Sequence, residues 1–77
     1  MIREHDRVVL EKNLPEVGLV AGDIGTVVLV HRSHTGYEVE FMTLNGDTVA
    51  VVTLTAAQVR PIAQHEIAHA RLVALAA

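Results

Sequence analysis

Residues 65–69 read HEIAH, a group whose types and spacing could bind a catalytic metal. On a helix, His65 and His69 would lie one turn apart on the same face, where two imidazoles can ligate one Zn²⁺. Glu66 would then be placed to act as a base toward a metal-bound water. A zinc hydrolase also needs a third protein ligand, and the following residues, ARLVALAA, supply no further histidine. We therefore predict solvated or packed helix residues, no catalytic residue and no cofactor, with His65 and His69 kept as candidate metal ligands.

A pair of carboxylates occupies the segment YEVEF, residues 37–41. Its strict alternation predicts a half-buried strand that turns Glu38 and Glu40 to the same face. Paired acids serve some hydrolases, but the solvated outer face of a strand explains these two more simply. If this face meets a partner, Glu38 and Glu40 would favour a basic one.

Two short stretches have the composition of turns. Gly22, Asp23 and Gly25 predict a sharp turn that leads into a strand, with the Asp23 side chain bonded to nearby backbone N–H groups. Asn45-Gly46 predicts a hairpin, because a type I′ turn needs positive φ at both central residues.

The elements that must position these residues are mostly strands, because valine dominates the chain and packs well on a pleated surface. The predicted strands cover residues 7–10, 26–31, 37–41, 48–54 and 59–60. With a long first loop and a tight third hairpin, they predict a mainly β fold, a small five-stranded SH3-like barrel over residues 1–62. Residues 63–77 are predicted to form a C-terminal α-helix that packs on the barrel or on a partner.

The predicted helix carries an apolar stripe. At about 100° per residue, Ile67, Leu72 and Leu75 share one side, although Arg71 falls near its middle. No Ser, Thr, Asp or Asn caps the start of this helix, so it would depend on packing against the body or a partner. We predict that Ile67, Leu72 and Leu75 form an interaction surface, and that the helix could join two copies into a homodimer.

Composition narrows the class of protein. The chain has 77 residues, no cysteine, and nine acidic against six basic side chains, for a net charge of −3. Proteins that bind nucleic acid usually concentrate positive charge on one face, so this balance argues against that role. No apolar run approaches the roughly 20 residues that span a bilayer, and the charged start is not typical of a signal peptide. We predict one domain in a reducing cytoplasm.

Three stretches carry a family resemblance: EHDRVVL near the start, AGDIGTVV at residues 21–28, and YEVEF followed by a hairpin and VVTL. In that order they resemble a family of small bacterial proteins known as domain-of-unknown-function family 4926, over roughly residues 2–62. The resemblance implies an SH3-like barrel, a cytoplasmic bacterial setting and a partner encoded by an adjacent gene, some such pairs being toxin–antitoxin pairs. It supplies no catalytic residues. The stretch GDIGTVV is also similar to the turn of KOW-type domains, which contact RNA.

These observations predict a non-enzymatic protein-interaction module with an antitoxin-like role beside a neighbouring gene product. The first alternative is a KOW-like domain associated with RNA or the ribosome, for which affinity would fall steeply with salt. A remote alternative is a zinc-dependent hydrolase that uses HEIAH.

Overall fold

Five antiparallel strands form one sheet in the computed structural model, which describes residues 1–74. The sheet order is β4-β3-β2-β1-β5. The strand bounds are β1 Arg7–Leu10, β2 Ile24–Val30, β3 Gly36–Met42, β4 Thr48–Thr55 and β5 Val59–Pro61. The predicted mainly β fold is therefore confirmed, and this order is compatible with an SH3-like arrangement.

The core lies on one face of the sheet, where alternate residues of β3 point inward. Tyr37, Val39 and Phe41 are buried there, opposite Val27 of β2 and Leu54 of β4. The long loop between β1 and β2 adds Leu14 and Leu19, whose backbones exchange two hydrogen bonds of 2.8 and 3.1 Å. The rest of the core cluster is Ile2, Val8, Leu10 and Val59.

The hairpin predicted at Asn45-Gly46 connects β3 to β4, but its turn is not type I′. Only Gly46 has a positive φ, 97°, and Asn45 does not. The loop is closed instead from Thr43, whose backbone N–H donates to the Asp47 carbonyl at 2.7 Å and whose hydroxyl accepts from the Asp47 N–H at 2.9 Å. The longer loop needs left-handed backbone at one residue only, and glycine supplies it.

The predicted C-terminal α-helix is wrong: no α-helix forms anywhere in residues 1–74. The chain leaves β5 at Pro61, turns at Gln64 and His65, and continues without regular secondary structure to Ala74. Two short 3₁₀ turns, Pro15–Val17 and Arg32–His34, lie in loops instead. No helix in the described part of the chain is long and apolar enough to cross a membrane.

Candidate interaction surface

The C-terminal segment, residues 62–74, crosses the body of the protein as an anchored strap. Its first anchor is Glu66, which accepts a forked pair of hydrogen bonds from Arg60 of β5 at 2.9 and 2.6 Å. The Ala63 N–H donates to the same carboxylate at 2.6 Å and closes the turn. These bonds, from Arg60 first and then from Ala63, lower the pKa of Glu66 to about 2.

The second anchor joins Arg71 to the loop before β2. The Arg71 guanidinium donates through Nε and Nη2 to the two carboxylate oxygens of Asp23, at 2.8 and 2.5 Å, and also to the Gly18 carbonyl at 3.1 Å. Partial burial alone would raise the pKa of Asp23, but the hydrogen bonds from Arg71 and from the Val20 N–H outweigh it, so the pKa is lowered. Two-point arginine–carboxylate bonding fixes direction as well as distance.

The strap exposes two large apolar side chains, each directly after one of its anchors. In the described chain, no backbone group of residues 67–70 pairs with the backbone of another part of the protein. Ile67 is 93% exposed and Leu72 is 97% exposed. Leu75, the third residue of the predicted stripe, lies outside the described residues. The structure thus brings Ile67 and Leu72 to one surface, on a segment without regular secondary structure and not on a helix.

A groove of about 1060 Å³ separates the strap from the sheet. Its buried apolar lining includes Val9, Leu19 and Phe41. Four further large apolar side chains of the lining, outside the strap's middle, are exposed: Ile24, Met42, Leu44 and Ile62. We call these four residues together with Ile67 and Leu72 the groove surface. Exposed apolar side chains concentrated in one place are typical of an interaction site.

The two histidines of HEIAH do not share a helical face. His65 lies in the turn after β5 with a φ of 66°, and His69 lies in the middle of the strap, where the chain has no regular secondary structure. In the described residues, no group of three or more His, Cys, Asp or Glu side chains is placed to hold a metal ion. Glu66 has a pKa of about 2 and is held by Arg60, so it is poorly suited to accept a proton near neutral pH.

Glu38 and Glu40 lie side by side on the outer face of β3, away from the groove. Glu38 is 2.6 Å from His31 Nε2 and accepts from the Thr53 hydroxyl at 2.8 Å. The bond to His31, and then that to Thr53, lowers the pKa of Glu38. The Thr48 hydroxyl donates to Glu40 at 2.7 Å. Both carboxylates are thus occupied by neighbours on the sheet.

The residues of the GDIGTVV stretch separate into two roles. Gly22, with a φ of 99°, and Asp23 form the turn that receives Arg71. Gly25, predicted in the same turn, lies instead in β2 and is buried. It does not have positive φ, and the reason for glycine there is the close approach of β3.

Sequence reasoning missed the anchors. Arg60 and Arg71 were not singled out as site residues, and their partners Glu66 and Asp23 were considered for other roles. One feature of the sequence does indicate the second anchor, because Arg71 interrupts the apolar stripe of the predicted helix. Nothing local to either residue indicates that Arg71 and Asp23, 48 residues apart, form a pair.

Fold and surface together define a small antiparallel β domain with an anchored apolar strap. A family model described as "Domain of unknown function (DUF4926)" matches residues 4–61, about three quarters of the 77-residue chain. The chain belongs to this family, and the predicted resemblance is confirmed. No curated protein and no solved structure gives a significant match. The strap begins where the family match ends.

Proposed function

We propose that this protein is a non-enzymatic interaction module that binds an apolar segment of another protein at the groove surface. One observation carries the proposal: Ile67 and Leu72 are almost fully exposed, and each directly follows a strap residue, Glu66 or Arg71, that an arginine–carboxylate pair holds in place. A free tail would lose conformational entropy when it bound a partner. Anchoring at Glu66 and Arg71 reduces that loss in advance, which is the usual advantage of preorganisation.

The expected energy comes from covering these side chains. Burying one Leu or Ile side chain contributes about 1.5–3 kcal/mol, so Ile67 and Leu72 together would contribute about 3–6 kcal/mol. Each 1.4 kcal/mol changes the dissociation constant tenfold, so losing both contacts should weaken binding by at least about a hundredfold.

The chemistry of the groove favours an apolar, extended partner segment. Its volume, about 1060 Å³, exceeds what one small side chain would fill. The two arginines of the strap region already face carboxylates of their own chain, so they have little charge to offer a partner. Selection would therefore rest on the shape and apolarity of the bound segment.

The family setting suggests where the partner originates. A product of an adjacent gene, with this chain in an antitoxin-like role in the bacterial cytoplasm, stays a prediction from the resemblance. The KOW-like alternative also stays a prediction. In this chain the corresponding turn carries Asp23, and the strap already occupies it through Arg71.

The proposal is tested by affinity capture from the native lysate with three forms of the tagged protein. Wild type is compared with the double variant Ile67→Ser/Leu72→Ser and with Leu29→Ser. Leu29 is the control because it is 47% exposed on β2 and does not line the groove. A protein retained in near-stoichiometric amount by wild type and Leu29→Ser, and lost with the double variant, would support the proposal. Equal retention by all three folded forms would refute it.

A further inference from the structure

The outer edge of β4 is a second surface, separate from the groove. In the order β4-β3-β2-β1-β5, β4 is a terminal strand, and within residues 1–74 it pairs with β3 alone. It is eight residues long, and its sequence TVAVVTLT has neither a charge nor a proline. Such an edge offers unpaired N–H and C=O groups as a template for another strand, and proteins usually protect it with charges or proline.

The hydrogen bonds of Thr55, at the C-terminal end of β4, show which β4 residues point their backbone N–H and C=O groups to the open edge. Thr55 faces Gly36 across the β3–β4 pair, but its N–H bonds to the Gln58 side chain at 2.8 Å and its carbonyl accepts from the Gln58 N–H at 3.0 Å. Thr55 therefore points its backbone groups away from β3. Because these directions alternate along an antiparallel strand, Thr53 and Val51 also point theirs to the open edge.

Pairing with another strand is obstructed at both ends of the β4 edge, but not between them. At the Thr55 end, Gln58 occupies the backbone groups where another strand would pair. At the other end, Phe41 pairs with Ala50 and Met42 pairs with Thr48, so Val49 is an extra residue that interrupts the regular ladder. The regular, unprotected stretch is residues 50–54.

We propose that a second copy of this chain pairs with that stretch, antiparallel and with Val52 on the twofold axis. Val51 of each copy then opposes Thr53 of the other, and the two pairs exchange four backbone N–H···O=C hydrogen bonds. This register engages both outward-facing residues and avoids the interruption at Val49 and the occupied Thr55. A twofold interface uses the same patch on both subunits, which a short symmetric stretch satisfies.

Charge and side-chain size favour a second copy at this edge. No charged side chain of β4 would face its own copy across the axis. The nearest carboxylates across the interface, Glu38 of one copy and Glu40 of the other, would be three strand spacings apart, or about 14 Å, which exceeds the Debye length of about 8 Å in physiological salt. Val52, now partly buried, would become covered by its equivalent.

The opposite edge of the sheet does not suit the same role. β5 has only three residues and ends in Pro61, which has no backbone N–H to donate. Pairing β4 of one copy with β5 of the next would therefore form few hydrogen bonds. The edge-to-edge contact predicted here is closed and stops at two copies.

The test measures molar mass in solution by sedimentation equilibrium for wild type, Val51→Lys and Val51→Glu. Val51 is 56% exposed, and the two copies of residue 51 would lie diagonally across the axis, about 7–8 Å apart. Wild type should approach twice the 8.3 kDa chain mass. Each single variant should raise the dimer dissociation constant at least tenfold through like-charge repulsion, and an equimolar mixture of the two should restore the dimer.

Two controls keep the outcomes separate. Leu29→Lys introduces the same positive charge as Val51→Lys, but on an exposed face away from the β4 edge, so this variant should remain dimeric. Circular dichroism establishes that every variant is folded. The double variant Ile67→Ser/Leu72→Ser should also remain dimeric, since its groove surface is elsewhere. The proposal is overturned if wild type is monomeric at millimolar concentration, if the charged β4 variants stay dimeric, if the mixture stays monomeric, or if the strap variant dissociates the dimer.

Discussion

Gly25→Ala should destabilise the protein because β2 and β3 approach closely at this residue. A Cβ at position 25 would lie 2.5 Å from Cγ1 of Val39, 2.9 Å from Cε2 of Phe41 and 3.0 Å from the Glu40 carbonyl oxygen. Val39 and Phe41 are almost completely buried, so neither side chain can move into solvent. The added methyl group must therefore displace packed atoms.

The size of the effect follows from two opposing terms. Inserting a methylene into a well-packed core costs about 1–3 kcal/mol. Replacing glycine by alanine also restricts the unfolded chain, which returns about 0.4–1 kcal/mol where φ is compatible. The net loss should be about 1.5 kcal/mol, and a domain of this size loses about 4–8 °C in Tm per kcal/mol, so Tm should fall by about 6–12 °C.

Urea unfolding followed by circular dichroism measures this loss as a lower midpoint with an unchanged slope. A double-mutant cycle identifies its cause. In a Val39→Ala background the closest clashing atom is gone, so Gly25→Ala should cost at least about 0.5 kcal/mol less than in wild type. Gly22→Ala is the matched control, because its Cβ would meet no atom of the described residues within 4 Å and its cost comes from a φ of 99°.

Two results would refute the packing explanation. Gly25→Ala could prove as stable as wild type, which would mean that β2 and β3 are not this close. The second result would be a Val39→Ala background that reduces the destabilisation by Gly25→Ala no more than it reduces the destabilisation by Gly22→Ala.

The remaining predictions concern the strap and the outer face of the sheet. Arg71→Gln should increase the fast backbone motion of the strap in an NMR relaxation measurement with little change in Tm, because the pair it breaks holds a segment that adds no residue to the core cluster of the described chain; a cooperative loss of the whole fold would contradict this. Because the pKa of Glu66 is about 2 in the folded protein and 4.5 in its ordinary state, its contribution to stability should be complete above about pH 4.5 and be lost as the pH falls toward 2; Glu66→Gln should remove that part of the acid dependence, and an unchanged profile would count against the Arg60 anchor. His31→Asn should raise the pKa of Glu38 toward its usual value in a carboxyl NMR titration, since the bond from His31 is the main cause of its lowering; no movement of that pKa would be the contrary result. Protein purified without added metal should contain far less than one zinc per chain by elemental analysis, and a full equivalent of zinc would restore the metal-site alternative.

The strands could be predicted from the sequence because their cause is local. Alternation in YEVEF predicted β3, and the Asn45-Gly46 pair predicted the hairpin that follows. The predictions that failed concern residues whose role depends on a neighbouring strand. Gly25 has the composition of a turn residue, but it is glycine because Val39 and Phe41 cross it.

The strap could not be predicted because its cause is distant. Ile67 and Leu72 fit a helical period, and alanine-rich surroundings favour a helix. An isolated helix of this length is marginal without packing, so a competing interaction can decide its conformation. The bonds from Arg71 to Asp23 and from Arg60 to Glu66 hold a non-helical path, and neither pairing can be recognised from spacing.

The exposed residues of the surface were therefore predicted for a partly incorrect reason. The helical period places Ile67 and Leu72 on one face of a helix, whereas in the structure both line the groove under a strap that is not helical. Glu38 and Glu40 were selected as outward-facing acids, and they lie on the outer face of β3, engaged by His31, Thr53 and Thr48. That face is separate from the groove.

The central claim is that Ile67 and Leu72 contact a protein partner directly. Isothermal titration calorimetry of the captured partner against wild type and against folded Ile67→Ser/Leu72→Ser tests it most directly. We predict that the double variant binds at least about a hundredfold more weakly, since about 3 kcal/mol of apolar burial is lost. Dissociation constants within about threefold of each other, a difference of less than about 0.7 kcal/mol, would show that the strap is not the binding surface.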